Sequence, residues 1–445
     1  MLDKINEFAK IFLEKTNKKD IYVISHFDTD GITSAAIFGK CLKNLDKKFS
    51  FKIIKNLDKE TIESLPKSKV LVFLDLASGS IKDLSKLPNE VFIIDHHEII
   101  KDFQFPENLH IINHHLVPYT EEMSGSCTTY LISKSLTKRD RDSATLAIIG
   151  MVGDIMEKNI GPLVNTILKD SEVLVKKGLL LYPSTRPLNK ALEYCSNPFI
   201  PGITGDNVGA TELLREAGIG FTKKGYKSLI ELDEDEMKRI VTAIALRITD
   251  SEKMQSFIGN LFLVKFFNQQ QDARELSALI NACSRMDHSH IALLLCMGNQ
   301  NARKQAEKIY IKYKQNIISA LNHVNSTPKI QGKQYVIMNA KDNIQDTIIG
   351  TIASILSMSA IYKEGTIIIT MAYNQDKIKV SSRISGLRKK DTSRNLREVM
   401  DEITELIGGE SGGHQFAAGC IISKEKEEAF IDLVKKKLDI EHIKV

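Results

Sequence analysis

The chain has no tryptophan, and aromatic residues make up only 7% of its 445 residues. A surface that binds by stacking ligands on aromatic rings is therefore a poor expectation. Cysteine is sparse too: Cys41, Cys127, Cys195, Cys283, Cys296 and Cys420 are scattered, with no Cys-x-x-Cys pair. That argues against thiolate metal sites and a disulfide framework, and leaves buried reduced thiols. No apolar run approaches the ~20 residues of a membrane span. The opening segment MLDKINEFAKIFLEKTNKKD is a charged amphipathic helix without a signal-peptide core. A cytoplasmic protein with no membrane partner is expected. Neither sign of charge dominates: 61 Lys and Arg against 56 Asp and Glu give +5. Such a balance permits a polyanionic partner without requiring one. Internal repeats and low-complexity tracts are absent.

What is present is an ordinary globular composition, 42% hydrophobic and 26% charged, at a length that calls for two or three domains. Short apolar runs at 21–25, 51–54, 70–74, 91–94 and 109–112 alternate with helical patterns. This predicts an α/β fold with a doubly wound parallel sheet. From about 160 to 260 the strand signals fade, and KNIGPLVNTILKDSEVLVKKG and DEDEMKRIVTAIALRI read as helices of a connector, broken by SNPFIPGITGD. Beyond Asn260, LFLVKFF reads as a strand, DARELSALINACSRM as a helix, IALLLCMG as an apolar strand and 301–323 as a long helix. Strands QYVIMNA, TIIITMAY and KIKVSSRI follow, with helices near 346–360 and 393–407, strand CIIS and a last helix. The expected division is 1–160, an α/β domain; 161–260, a helical connector; and 261–445, a smaller α/β domain.

The acidic residues are distributed unevenly. His26, Asp28 and Asp30 follow the first strand, Asp75 the third, and Asp95, His96 and His97 the fourth, while Asp154 closes the run AIIGMVGD. Open α/β sheets bind ligands at these carboxyl ends. Taken singly, each Asp could be a helix cap or turn residue, and Asp28 or Asp30 could cap the helix at Ile32. Taken together, such carboxylates repel one another unless cations intervene. Asp and His ligands without thiolate suit Mn²⁺ or Mg²⁺ better than Zn²⁺ or Co²⁺. Two ions bridged by one carboxylate suit the cleavage of phosphate esters.

These residues resemble the DHH phosphoesterase superfamily, whose motifs stand here as SHFDTDG, FLDLAS, IIDHHE and GMVGDI. GGESGGHQFAAG is similar to the substrate motif of the associated DHHA1 domain. Within the superfamily the chain most resembles archaeal RecJ-like exonucleases, the group that includes the GINS-associated nuclease. The likeness extends through STRPL, EYCSNPFIPGITGD and DARELSALINACSRM. It implies two ions, Mn²⁺ or Mg²⁺: one on His26, Asp28 and Asp75, the other on Asp30, Asp75, His96 and Asp154, with Asp75 bridging. His97 would contact the scissile phosphate, Asp95 would orient an imidazole, and a metal-activated water would attack with no covalent enzyme intermediate.

In the second domain the resemblance assigns Gly412, Gly413 and His414 to substrate. The residues alone allow either an anion cradle or a plain turn. Arg383 could fork onto a phosphate or form a surface ion pair. Asn281 and Arg285, four apart on one helix face, resemble a pair that lines the nucleotide path; a solvated polar face is the alternative. Ser124-Gly125-Ser126 resembles a Ser-Gly helix start, a phosphate cradle or simply a cap. Relatives commonly have Asn-Pro where this chain has Asn113-His114-His115, and these imidazoles are expected to face solvent. His288 and His290 read as loop residues, and Arg186 matches a family position of unassigned role. No OB-fold-like extension is expected after the second domain.

The expected function is a single-strand-specific exonuclease in DNA replication or repair, 5′→3′ on DNA and releasing nucleoside monophosphates, with 3′→5′ action on RNA, as in some related proteins, left open beside it. Chemistry would lie on the first domain and end recognition on the second, across a cleft admitting one strand. One alternative is a small-substrate phosphodiesterase for oligoribonucleotides, phosphoadenosine phosphate or cyclic dinucleotides, though such members usually lack the connector. Another is a replisome scaffold that binds GINS, with nuclease activity secondary. A related eukaryotic helicase subunit shares the fold but has lost most ligands; here all four acidic motifs are intact, which implies an active enzyme.

Overall fold

Five short apolar segments build the first sheet: β1 (Ile21–His26), β2 (Phe49–Ile54), β3 (Val70–Leu74), β4 (Val91–Ile94) and β5 (Leu109–Ile112). They pair in parallel in the order β2-β1-β3-β4-β5. Every residue of β3 and β4 is buried, as strands covered on both faces must be. The order reverses direction between β1 and β3, which opens a crevice at their carboxyl ends.

The computed structural model describes residues 1–99, 103–118, 121–195, 200–223, 225–248, 254–255, 257–359, 361–386 and 395–440. The 196–199 part of EYCSNPFIPGITGD and the expected helix start at 393–394 therefore lie outside the described residues.

On one face of the sheet lie α1 (Leu2–Lys15), α2 (Thr29–Asn44), α5 (Gly125–Leu136) and α6 (Arg141–Gly153). Phe8 and Phe12 of α1 pack edge-on against Phe92 of β4, at ring separations of 5.4 and 5.1 Å. On the other face, α3 (Lys59–Glu63) and α4 (Ile81–Leu84) bury Ile62, Ile81 and Leu84 against Ile24, Leu71 and Phe73. All six cysteines are buried and none forms a disulfide. Among the described residues, no helix is long and apolar enough to cross a membrane.

Two elements differ from the sequence reading. After α7 (Pro162–Asp170), Leu174–Leu179 is a strand, β6, and not part of a helix. It pairs antiparallel with β9 (Ile258–Phe266), which in turn pairs with β10 (Gln269–Asp272). The segment LVKKGL is too short for its own period to show, and the partner strand lies some 80 residues on. Between them α8 (Leu188–Glu193), α9 (Asn207–Glu216), the β7–β8 ribbon (Phe221–Thr222, Gly225–Tyr226) and α10 (Glu234–Ala245) enclose a separate core of Leu188, Leu192, Leu213, Leu214, Ile240 and Leu261.

The second difference is the apolar run at 291–298. Ser289–Cys296 is a helix, packed on α2 and on the helix Ala273–Arg285. Its residues are apolar all round, so periodicity could not separate a buried strand from a buried helix.

Two compact units divide the chain, one formed by residues 1–195 and 200–310, the other by the described residues from 311 on. Strand β9 lies in the first unit and runs across position 260.

The second unit carries a six-stranded sheet in the order β11-β12-β13-β14-β16-β15: Ile330–Gln331, Tyr335–Asn339, Ile367–Asn374, Lys377–Ile384, Ala417–Ser423 and Glu410–His414. One face receives the helix Asp346–Met358, whose Ile349 carbonyl accepts from Thr370 Oγ1 at 3.2 Å. Helices Leu396–Ile407 and Glu427–Ile440 cover the other face, over Ile369, Met371 and Val380.

Candidate metal centre

The crevice between β1 and β3 collects the acidic motifs. Asp28 caps α2, its Oδ1 accepting the Gly31 N–H at 3.0 Å. A Cβ on Gly31 would stand 2.3 Å from the His26 carbonyl oxygen, so this turn admits only glycine. Asp30, fully buried in the first turn of α2, gains from the positive end of that helix. It also accepts the Ser126 N–H from the start of α5 at 3.1 Å. Asp75 leaves β3 with a left-handed backbone, φ +59, and Ala77 follows at φ +95. Non-glycine residues in that region store strain that the surroundings must impose. Its N–H donates to the Ile94 carbonyl at 2.8 Å, which ties the bend to β4. Asp154 ends α6, and Ile155 after it turns at φ +60.

These bends bring the side chains into overlapping groups that share Asp75. His26 Nδ1 lies 2.8 Å from Asp28 Oδ2 and 3.5 Å from Asp75 Oδ2. His96 Nε2 lies 3.1 Å from Asp154 Oδ2, 3.2 Å from Asp75 Oδ1 and 3.9 Å from Asp30 Oδ2. Within each group, His26/Asp28/Asp75 and Asp30/Asp75/His96/Asp154, one donor atom per residue lies within 4.8 Å of all the others. Asp75 presents one oxygen to each. His26 Nδ1, Asp30 Oδ2, both Asp75 oxygens and His96 Nε2 are buried without a hydrogen-bond partner. Close approach without hydrogen-bond alignment, at buried atoms that would otherwise be costly, is what lone pairs converging on a cation look like. The donor set, oxygen and imidazole nitrogen without sulfur, fits hard divalent ions.

Two helices press on this cluster. A Cβ on Gly125 of α5 would stand 3.0 Å from Asp30 Oδ2 and from Asp75 Oδ1, and one on Gly150 of α6 would stand 2.6 Å from Asp30 Oδ1. Ser124 caps α5 toward the Cys127 N–H at 3.3 Å. The Ser-Gly helix start thus serves the buried carboxylates and its own cap.

Charge in the cluster is strongly perturbed. Burial, then Asp30 and Asp28, hold the Asp75 carboxyl well above the ordinary range. Burial and Asp30 push Asp154 up to about 6. Burial opposes charge on His96, but Asp154 and Asp75 prevail and push it up to about 12. His26 is likewise raised against burial, by Asp28 and Asp75. In the metal-free protein, protons on imidazole therefore stand in for cations.

Behind the cluster, Asp95 accepts from Ser78 N–H (2.8 Å), His96 N–H (2.8 Å) and His97 Nδ1 (2.7 Å). Burial alone would raise its carboxyl; His97 and Ser78 hold it well below the usual range. The His97 side chain remains 47% exposed, at the rim of the cluster.

Residues 20–153 match the DHH family N-terminal domain, residues 181–262 the DHH-CID domain and residues 332–439 the DHHA1 domain. An uncharacterised protein of Methanocaldococcus jannaschii is 27% identical over 467 residues, covering 98% of each chain. RecJ of Thermus thermophilus, solved with Mn²⁺, superimposes with a TM-score of 0.61 at 17% identity, over 98% of this chain and 54% of that one. CDC45 of Entamoeba histolytica gives a TM-score of 0.67 at 13% identity, over 97% and 98%. This is a DHH–DHHA1 chain with a RecJ-like fold.

In this DHH–DHHA1 chain the seven residues His26, Asp28, Asp30, Asp75, His96, His97 and Asp154 converge, with Asp95 behind His97. Asn281 also comes close: its Oδ1 accepts the Thr29 N–H at 3.0 Å. Arg285 ends the same helix. His114 corrects the expectation of a solvent-facing imidazole. It is 9% exposed with Nδ1 buried and unpartnered, and burial, then His115 and His96, push it down to about 4. The cause is Asn113, which donates to Ser78 Oγ (3.0 Å) and the His97 carbonyl (2.8 Å) and so folds this loop against the end of β4. Thr29 and Ser277, which join the acidic turn to the helix Ala273–Arg285, went unread in the sequence. Both are small hydroxyl residues that carry no distinguishing pattern there.

In the DHHA1 unit, Arg383 on β14, Ala417 on β16 and His414 on β15 stand opposite one another and so share a sheet face. Gly413 has φ +125, and a Cβ there would stand 2.4 Å from the Ala417 carbonyl oxygen. Gly412 faces Gly419, which leaves this part of the sheet without side chains. His414 is exposed. Arg383 donates to Ser354 Oγ at 3.1 Å and to the Ser382 carbonyl at 2.8 Å.

Proposed function

We propose that the chain is a metal-dependent phosphodiesterase, a single-strand exonuclease that releases nucleoside monophosphates, 5′→3′ on DNA. The observation that carries this reading is Asp75, buried and offering one unpartnered oxygen to each of two donor groups. His26, Asp28 and Asp75 would hold one Mn²⁺ or Mg²⁺, and Asp30, Asp75, His96 and Asp154 the other. When bound, two such ions activate water and neutralise charge on phosphoryl oxygens.

The chain's own residues do the rest. Asp95 accepts a hydrogen bond from the Nδ1–H of His97 and raises its pKa, so His97 keeps a proton on Nε2 and donates a hydrogen bond from it to an anionic phosphoryl oxygen. In the DHHA1 unit, the bare strand at Gly412 and Gly413, flanked by His414 and Arg383, suits a terminal phosphate or nucleotide. Asn281 holds the acidic turn, and Arg285, one turn on, lines the nucleotide path. The DHH-CID connector favours a polynucleotide over the small substrates of shorter relatives.

The test uses end-labelled single-stranded DNA and RNA of about 20 nucleotides with Mn²⁺ or Mg²⁺, comparing the natural chain with Asp75→Ala. Stepwise loss of mononucleotides by the natural chain alone supports the reading. Equal digestion by Asp75→Ala removes it, and activity confined to dinucleotides favours a small-substrate enzyme. A second reading, a replisome subunit that binds GINS, has the CDC45-like fold in its favour. Co-purification with GINS from the same source tests it.

A further inference from the structure

The helix Ala273–Arg285 meets the acidic turn of β1 at three points. Asn281 Oδ1 accepts the Thr29 N–H at 3.0 Å, Thr29 Oγ1 donates to the Ser277 carbonyl at 3.0 Å, and Ser277 Oγ donates to Thr29 Oγ1 at 3.1 Å. Thr29 stands between Asp28 and Asp30. Its N–H is one of the amides that the first turn of α2 leaves without an intrahelical acceptor. The third neighbour is Gly153, the residue before Asp154. A Cβ there would come within 2.8 Å of Thr29 Cβ and 3.2 Å of Ser277 Oγ. One helix thus grips the turn that carries Asp28 and Asp30 and abuts the end of α6 that carries Asp154.

The other end of the same helix is fixed as firmly. Its cap, Asp272, is fully buried and accepts from Ser184 Oγ at 2.7 Å and from Arg274 Nη2 at 2.7 Å. Glu275 accepts from the Thr185 N–H at 3.0 Å and from Thr185 Oγ1 at 2.6 Å. Ser184 and Thr185 belong to the STRPL turn that leads into α8. A buried carboxylate with every partner supplied holds one geometry, because losing any partner leaves a charge uncompensated.

We propose that the helix Ala273–Arg285 is a strut: the Ser184–Thr185 turn sets its position, and Thr29, Ser277 and Asn281 transmit that position to Asp28, Asp30 and Asp154. Thr29, Ser277 and Asn281 are positioning residues for the metal ions, and a load on the connector reaches the metal centre through them. The inference rests on the two-ion reading above. Its physical basis is that ligand geometry must be held to about half an ångström for full affinity, which falls to residues behind the ligands.

The test is Mn²⁺ binding to the full chain without substrate, read by calorimetry and by the electron-spin signal of free Mn²⁺. Folding is checked by circular dichroism at the same temperature. Asn281→Leu, losing one hydrogen bond, and Thr29→Val, losing two, each at nearly constant volume, should weaken Mn²⁺ about 10–100-fold. Thr29→Ser keeps the hydroxyl and should bind within about twofold of the natural chain, a small fraction of that loss. Thr185→Val, at the far end of the strut, should weaken Mn²⁺ measurably in the same direction. Unchanged binding in Asn281→Leu and Thr29→Val, or equal loss in Thr29→Val and Thr29→Ser, overturns the strut. Asp75→Asn separates this from failure of the underlying reading: if it too binds like the natural chain, the metal centre itself is wrong.

Discussion

Asp75 concentrates the physical argument in one residue. It is 1% exposed, in a left-handed backbone, beside two further carboxylates that raise its pKa. Neither of its oxygens has a hydrogen-bond partner. Asp75→Asn is expected to abolish phosphodiester cleavage, whereas Asp95→Asn, which weakens the hold on His97 and on the Ser78 and His96 N–H groups, lowers activity about 10–100-fold; steady-state rates on labelled single strands check both. The histidines give a second prediction. His26, His96 and His97 have folded pKa values raised above the ordinary 6.5. Their contribution to stability is complete below that unfolded value and is lost as pH rises toward the folded ones. The metal-free melting temperature should therefore fall as pH rises from about 6.5 to 8.5. Added Mn²⁺, by replacing the protons, should remove that slope. Thermal melts with chelator or with Mn²⁺ decide it. The convergence of these acids was legible in the sequence because each directly follows an apolar strand or helix. The inward turn of His114 was not, since Asn113 folds that loop through contacts with Ser78 and His97, far off in the chain.

Elements bring these residues together, and the glycines show how closely. Gly150 lets α6 approach α2 so nearly that a methyl group there would meet Ser126 Oγ at 2.2 Å and Thr33 Oγ1 at 2.4 Å. Overpacking of this kind costs about 1–3 kcal/mol. Gly150→Ala should destabilise the protein by that amount in denaturant melts and weaken Mn²⁺ binding, because Asp30 must shift. Gly153, three residues on, is tight against Thr29 in the same manner. At this scale the parallel sheet was readable from its alternation with helices, whereas β6 and the helix Ser289–Cys296 were not. The strand LVKKGL is defined by its pairing with β9, and the run IALLLC is apolar in every direction. Both depend on partners distant in sequence, which no local period records.

The whole molecule has separate cores. The sheet of the DHHA1 unit packs around Met400, Ile403 and Phe430, while all the candidate ligands lie in the first unit. Ligand binding stabilises only the cooperative unit that holds it. Calorimetry should therefore show Mn²⁺ raising the melting of the first unit, with a second transition unmoved. The most direct measurement is anomalous diffraction at the manganese edge from crystals grown with Mn²⁺. Two peaks are predicted, one beside His26 and Asp28, the other among Asp30, His96 and Asp154, with an oxygen of Asp75 on each. No peak in the crevice, or a peak that leaves Asp75 out, would contradict the account.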